Sequence, residues 1–357
     1  MALVFLEGFS LYSDPDQFDL NVMESAGDTS ACILLPTDGP HGRGAMQIGG
    51  VASPSYSLTC VLDAVFSGGK TIGMWFRWDD FDSGSPFTYD TIMQVMYATN
   101  NNNGVMLLHS DGSLRFLKNT TNTEWWDSAD DGHFLTKGEA VWLEIRFICG
   151  TNNDGSLQVW VNGEQWAYIT GIDYVNGFIN EVKFHTGGAI AGNGAQYTIS
   201  NLYVDDTNDP NKLFHGRWDF QMLNPTGDGA VTDFTIPFGG AAWDYLDEFP
   251  SDLDFGYLFS STATHEQRVV TADTLDGANA VVHGVLVKGY FKGDTTTVAM
   301  ATIESNGTKD TAGSLSTAAR ASYRVCRGQW IIDPDTSLQW GAAAIEAAEF
   351  GFEIVSL

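Results

Sequence analysis

Apolar and polar residues alternate along most of this chain, in short runs closed by turn-forming residues. Val141, Leu143, Ile145, Phe147 and Cys149 alternate with Trp142, Glu144, Arg146 and Ile148. Successive side chains of a strand point to opposite faces, so this period of two predicts a strand. Leu157, Val159 and Val161 share a face just before Asn162-Gly163, and a second alternating run follows over Gln165–Ile169. Asn-Gly accepts positive φ at both central positions of a type I′ turn, so the segment predicts a tight hairpin. The run Thr71–Trp78 predicts a central strand that turns Ile72, Met74, Phe76 and Trp78 toward one core. Further runs stand at Ala2–Leu6, Gly44–Ile48, Thr91–Tyr97, Val105–His109, Leu114–Leu117, Glu181–His185 and Gln196–Val204, with Gly, Asn, Asp and Ser between them. That rhythm predicts an all-β sandwich.

The chain has 357 residues, which suits two domains of ordinary size better than one sandwich. The polar, proline-containing stretch from Asp205 to Lys212 marks the junction. We therefore expect a first domain over 1–207 and a second over 213–357. In the second, Val281, His283, Val285 and Val287 alternate with Val282, Gly284 and Leu286, which predicts a strand apolar on both faces. Phe350, Phe352 and Ile354 predict a final strand, and Gly341–Ala348 gives the one clear helical signal, a short one. The expected fold class is all-β, with two β-sandwich (jelly-roll) domains and few short helices. A strand, an Asn-Gly hairpin and a later Ile199-Ser200-Asn201-Leu202-Tyr203-Val204 strand resemble the back half of a concanavalin A-like (laminin-G-like) jelly roll.

Composition narrows the partners. Formal net charge is −28, and acid is spread over both halves. A phosphate backbone is bound by lysine and arginine that displace its counterions, so nucleic acid is excluded as a partner. No run approaches the 18 or so apolar residues that a membrane helix needs, and membrane insertion is not expected. The start, Met1–Phe9, lacks the basic and apolar regions of a secretory signal and reads as a first strand, which implies synthesis in a cytoplasm. Four cysteines (Cys32, Cys60, Cys149, Cys326) form no Cys-x-x-Cys pair and are expected to be reduced. The glycosylation patterns at Asn119 and Asn306 are then chance matches.

Candidate chemistry is sparse. A glycoside hydrolase on such a sandwich needs two carboxylates held at a fixed short spacing on one strand face. Here Glu124, Asp127, Asp130 and Asp131 fall in one loop and Asp247, Glu248, Asp252 and Asp254 in another, so no enzyme activity is expected. The seven histidines are scattered, without the helical i, i+4 spacing of a transition-metal site. No cofactor is expected. Calcium is the one candidate ion, at Asp79, Asp80 and Asp82 or at Asp205 and Asp206, where hard oxygens cluster; the alternative is a solvated acidic turn. Trp125-Trp126 stands in a polar segment and needs a cover. A glycan, a neighbouring subunit or the edge of the chain's own sandwich would each supply one.

The order of marks along the whole chain resembles a family of tailed-bacteriophage and prophage virion proteins. The marks are Glu7-Gly8-Phe9 with Tyr12, Gly42-Arg43-Gly44-Ala45-Met46-Gln47-Ile48, Gly73-Met74-Trp75-Phe76, Val159–Gly163 and Ile199–Asp205. After them come Phe214-His215-Gly216-Arg217-Trp218, Leu223–Gly229, Tyr245–Glu248, Asp252-Leu253-Asp254 with Tyr257, Trp340 and Ala347–Glu353. The resemblance implies a non-enzymatic structural component of a virion, such as a head decoration, collar or fibre subunit. It further implies other virion proteins as partners, a homo-oligomer, and a place on the virion surface. A carbohydrate-binding tail adhesin, holding a host surface glycan, is the alternative it leaves open.

Overall fold

In the computed structural model the described residues are 2–7, 9, 23–27, 32–35, 38–39, 44–49, 56–67, 69–81, 89–97, 101–118, 123–150, 152–174, 178–186, 195–206, 218, 221–237, 239–246, 257–275, 281–293, 297–316 and 320–356. They form two compact units, Met1–Asp219 and Phe220–Leu357, and the chain is all-β in both.

Among the described residues fifteen strands build the first unit: β1 (Ala2–Glu7), β2 (Met23–Gly27), β3 (Cys32–Leu35), β4 (Ala45–Gly49), β5 (Tyr56–Ser67), β6 (Gly69–Phe81), β7 (Tyr89–Tyr97), β8 (Asn101–His109), β9 (Leu114–Lys118), β10 (Thr123–Asp127), β11 (Ala140–Ile148), β12 (Gly155–Val161), β13 (Glu164–Ile172), β14 (Phe178–Thr186) and β15 (Ala195–Asp206). One antiparallel sheet runs β13-β12-β11-β6-β15-β4-β3, with β1 also on β15; the other runs β10-β9-β8-β7-β14-β5-β2. The alternation read from the sequence is the inner lining. Ile72, Met74 and Phe76 stand opposite Ile145, Leu143 and Val141, and all are buried. Phe147 meets Phe116 of the second sheet at 6.3 Å between ring centroids, and the Tyr197 hydroxyl crosses to donate to the Ile92 carbonyl at 2.9 Å.

Asn162 and Gly163 turn between β12 and β13 with φ of 50° and 85°, the hairpin their sequence predicts. The Asn162 N–H donates to the Trp142 carbonyl and its Oδ1 accepts from the Trp142 N–H, both at 2.8 Å, so the turn also anchors β11. Gly163→Val is expected to lower stability by about 1–3 kcal/mol, because a β-branched residue is strained at positive φ. Chemical denaturation of the two proteins checks this; equal midpoints would show the turn to be tolerant.

The first unit extends past the expected boundary at 207, and the reason is one buried stack. Trp218 lies parallel to Tyr203 of β15 at 3.9 Å between ring centroids, and its carbonyl accepts from Asn201 Nδ2. The polar stretch 207–217 itself lies outside the described residues.

Among the described residues seven strands build the second unit: β16 (Gly227–Thr232), β17 (Glu266–Val270), β18 (Val285–Gly293), β19 (Val298–Ser305), β20 (Thr308–Ser316), β21 (Arg320–Trp330) and β22 (Glu349–Ser356). The order β16-β17-β22-β19-β20 makes one antiparallel sheet, and β18 pairs with β21. Ala301, Ile303, Val287, Trp330 and Trp340 pack between them, closed by Ile345 of α1 (Ala342–Glu346), the one α-helix among the described residues. The doubly apolar strand expected over 281–287 starts only at Val285. Val281 is 64% exposed, and residues 281–284 have no ladder partner among the described residues.

Candidate functional site

The alternation that sends Ile72, Met74, Phe76 and Trp78 inward sends Trp75, Arg77 and Asp79 to the outer face of the first sheet. Arg77 stands opposite Thr198 of β15, Thr198 opposite Gln47 of β4, and Gln47 opposite Ile33 of β3. A row of side chains thus crosses four strands on one surface. The Arg77 guanidinium carbon lies 5.6 Å from the centroid of the Trp75 ring, within the range of a cation–π contact. Asp79 accepts from Gln47 Nε2 at 3.1 Å, from Arg77 Nε and from Thr198 Oγ1. Asp38 approaches Arg77 Nη2 to 3.8 Å.

Burial is graded across this row. Thr198 is enclosed and forms the floor. The side chains of Arg77 and Asp79 are 22% and 12% exposed, Trp75 and Gln47 are half-buried, and Ile33 is 47% exposed. Three donors on one carboxylate fix its orientation, and that in turn fixes the guanidinium and the amide. The surface therefore presents a half-buried indole, with the guanidinium over its ring, beside planar polar groups whose positions are already set. Hydrogen-bond donors, acceptors and an apolar plate stand within one patch.

This geometry answers the calcium expectation at Asp79 and Asp80. The Asp79 carboxylate is filled by protein donors. Asp80 takes the Lys137 ammonium and the Phe81 N–H, and the Lys137 hydrogen bond, first among the causes, holds its carboxyl below the usual range. Asp82 lies outside the described residues. Asp205 is buried on β15 opposite Thr71, and Asp206 pairs in the same strand with Ala2. Among the described residues no three His, Cys, Asp or Glu side chains converge as a metal site.

Trp125 and Trp126 find their cover within their own unit. Trp126 is buried against Phe116 at 5.9 Å between centroids, and its Nε1 donates to Asp131 Oδ2 at 2.7 Å. Trp125 bulges from the β9–β10 ladder, meets Tyr174 edge-on at 4.8 Å and leans on Gly104. Of the three covers the sequence leaves open, the sandwich edge is the one in place.

A second group of titratable side chains stands at one end of the other sheet. His109 stacks on Tyr89 at 5.3 Å between centroids, and Arg115 beside it makes two hydrogen bonds to Asp127 and an ion pair with Glu124. Burial first, then the Arg115 charge, pushes His109 below its usual pKa, so its ring is neutral at pH 7. Its Nε2 is sealed from solvent with no partner among the described residues, and so it is closed to a ligand. The cysteines are all free, and burial pushes the half-buried Cys149 thiol up to about 12, which leaves it unreactive at neutral pH.

No protein-family model matches the sequence, and no curated protein matches it. Solved structures do. A cellulose-induced protein is similar at 16% identity and a TM-score of 0.40, over 53% of this chain and 93% of its own. The endo-β-1,4-glucuronan lyase of the fungus Trichoderma reesei is similar at 10% identity and a TM-score of 0.39, over 59% of this chain and all of its own. The alginate lyase of Aplysia kurodai is similar at 12% identity and a TM-score of 0.40, over 58% of this chain and all of its own. At this level the similarity concerns the architecture of the strands, with no residue of a site carried across.

Two expectations are corrected here. The non-enzymatic virion component, with a tail adhesin as its alternative, finds no counterpart among these structures, which are described as polysaccharide lyases and a cellulose-induced protein. The expectation that the chain is no enzyme is set aside with it, since two of these similar structures are described as lyases. Its basis was the lack of a spaced carboxylate pair, which is a hydrolase requirement and leaves other reaction classes untouched.

Proposed function

We propose that the first unit holds a neutral polysaccharide on the outer face of its larger sheet, at Trp75, Arg77, Asp79 and Gln47. The observation that supports this is the half-open patch where an indole and a pinned guanidinium–carboxylate–amide group share one surface. A pyranose ring has an apolar face of C–H groups and an equator of hydroxyls. The first packs on an aromatic plate, and the second needs donors and acceptors in fixed places. Mixed sites of that kind reject analogues that lack a hydroxyl, because their own polar groups are then left unpaired.

Charge selects among polysaccharides. At −28 the chain repels a polymer that bears a carboxylate on every sugar, and screening acts only beyond about 8 Å at physiological salt. Arg77 does not reverse this, since Asp79 and Asp38 already stand beside it. A neutral glycan meets no such barrier.

Electrophoresis through gels cast with neutral β-glucan, mannan or xylan, and with alginate, tests the proposal. The expected result is retardation in a neutral gel, weakened at least tenfold in Trp75→Ala and in Arg77→Ala, with unchanged melting temperatures. Retardation equal in all three proteins, or none in any neutral gel, overturns it. The same incubations, followed for chain shortening, read whether the bound polymer is also cleaved.

A further inference from the structure

We infer a second carbohydrate site, in the second unit, that is independent of the sheet-face patch of the first. A groove of about 490 Å³ opens between the start of β20 and the end of β21 with the loop that follows. That volume is within the range of small-ligand sites and would take about two sugar rings. Trp330 and Ile331 line it on the apolar side, and Ile332, 50% exposed, stands at its mouth. Thr308, Gln329 and Ser337 bring hydroxyl and amide groups to its walls.

The two charged residues on the groove are already engaged. The Lys309 ammonium lies 2.7 Å from both Glu266 and Glu353, and burial, which would lower its pKa, is outweighed by those two carboxylates. Asp310 Oδ2 accepts from Trp330 Nε1 at 3.1 Å and its Oδ1 from the Thr311 N–H at 2.9 Å. An anion entering the groove would meet an ammonium already shared by two carboxylates with the Asp310 carboxylate beside it, and would lose its own hydration for no counter-charge. A ligand with hydroxyls at its rim and an apolar face suits what remains. The wall is held rigid for it: Thr308 and Asn306 both donate to Asp335, and the Asp333 carboxylate accepts from the Asp335 N–H and the Thr336 hydroxyl. A site built on fixed groups binds without first ordering them.

The test uses the full chain carrying Arg77→Ala, so that the sheet-face patch is disabled, and titrates it calorimetrically with neutral gluco-, manno- and xylo-hexasaccharides. The expected result is binding of at least one of them, weakened tenfold or more when Ile332→Asp is added and also when Gln329→Ala is added. Both positions are solvent-accessible, and a melting curve confirms the fold of each. Absence of binding by the Arg77→Ala chain, or binding unchanged by both groove substitutions, overturns the inference. Neither result bears on the sheet-face site, which is judged on the wild-type chain against Arg77→Ala.

Discussion

Gly73→Ala is expected to destabilise the first unit by about 3 kcal/mol, at the upper end of what overpacking a core costs. Gly73 sits in β6 with ordinary extended backbone, so its role is space. A Cβ at this position would overlap the ring of Tyr203 and stand 2.7 Å from its hydroxyl oxygen. That ring cannot lift away cheaply. Trp218 is stacked on it, Trp142 lies 6.0 Å from it between centroids, and its hydroxyl donates to Glu144 Oε2 at 2.9 Å. Burial first, and then the Glu144 charge, pushes the Tyr203 hydroxyl far above its usual pKa, so it remains a donor at every pH where the protein is folded. Urea unfolding of Gly73→Ala, compared with Gly73→Ala/Tyr203→Ala, separates space from propensity. The double variant is expected to lose less than the sum of the two single changes, since the clash vanishes with the ring. Additive losses would mean that the glycine acts in some other way.

The strands were legible because their signal is local. Period-two alternation names the inner lining of β6, β11 and β12 residue by residue, and Asn162-Gly163 names its own turn. The boundary of the first unit was not legible, because what sets it is a long-range stack of Trp218 on Tyr203. Both residues stood in the sequence as marks of a family resemblance, and the fold shows them to be packing residues. At Val281–Gly284 alternation alone misled: a strand needs a partner to hydrogen-bond, and no pattern within four residues reports one. The sheet-face patch was half visible. The inward set Ile72, Met74, Phe76 and Trp78 implied Trp75 and Arg77 outside by the same rule. What no local signal could supply was that Gln47 and Thr198 would meet Asp79 across 32 and 119 residues. Asp79 was singled out for its neighbours in sequence, as a metal ligand, whereas its neighbours in space are donors. Trp125-Trp126 showed in sequence only that two adjacent indoles require a cover, and which of three it would be rested on contacts with Phe116, Tyr174 and Asp131 that no local pattern reports.

Arg268→Ala is expected to cost the second unit about 3–5 kcal/mol at pH 7, the penalty for breaking a buried ion pair and leaving its partners uncompensated. Arg268, 8% exposed in its side chain, lies on the outer face of the five-stranded sheet over Gly351. Its Nε donates to Glu266 Oε1 at 2.6 Å, its Nη1 to Glu304, and Glu349 stands 3.5 Å from the same nitrogen. With Lys309 joining Glu266 to Glu353, four carboxylates share two cations. Removal of the arginine leaves Glu266, Glu304 and Glu349 crowded with little to offset their repulsion. The pH dependence gives the mechanism. Burial alone would raise the Glu266 carboxyl, but the Arg268 and Lys309 bonds outweigh it and hold its pKa below the usual value. A depressed folded pKa means that the unfolded chain binds more protons, so this stabilisation is present above about pH 4.3 and is lost as pH falls through the folded value. Lys309 is raised instead, so its share is complete below about pH 10.4 and is lost as pH climbs through its folded value. The wild-type unit is therefore expected to hold a plateau of stability between those limits, and Arg268→Ala to fall furthest below it at neutral pH. The gap should narrow as acid protonates the crowded carboxylates. Adding Glu266→Gln to Arg268→Ala should recover part of the loss at pH 7 and little of it at pH 4. A gap that stays constant from pH 4 to pH 8 would assign the cost to lost packing of the arginine stem and not to its charge.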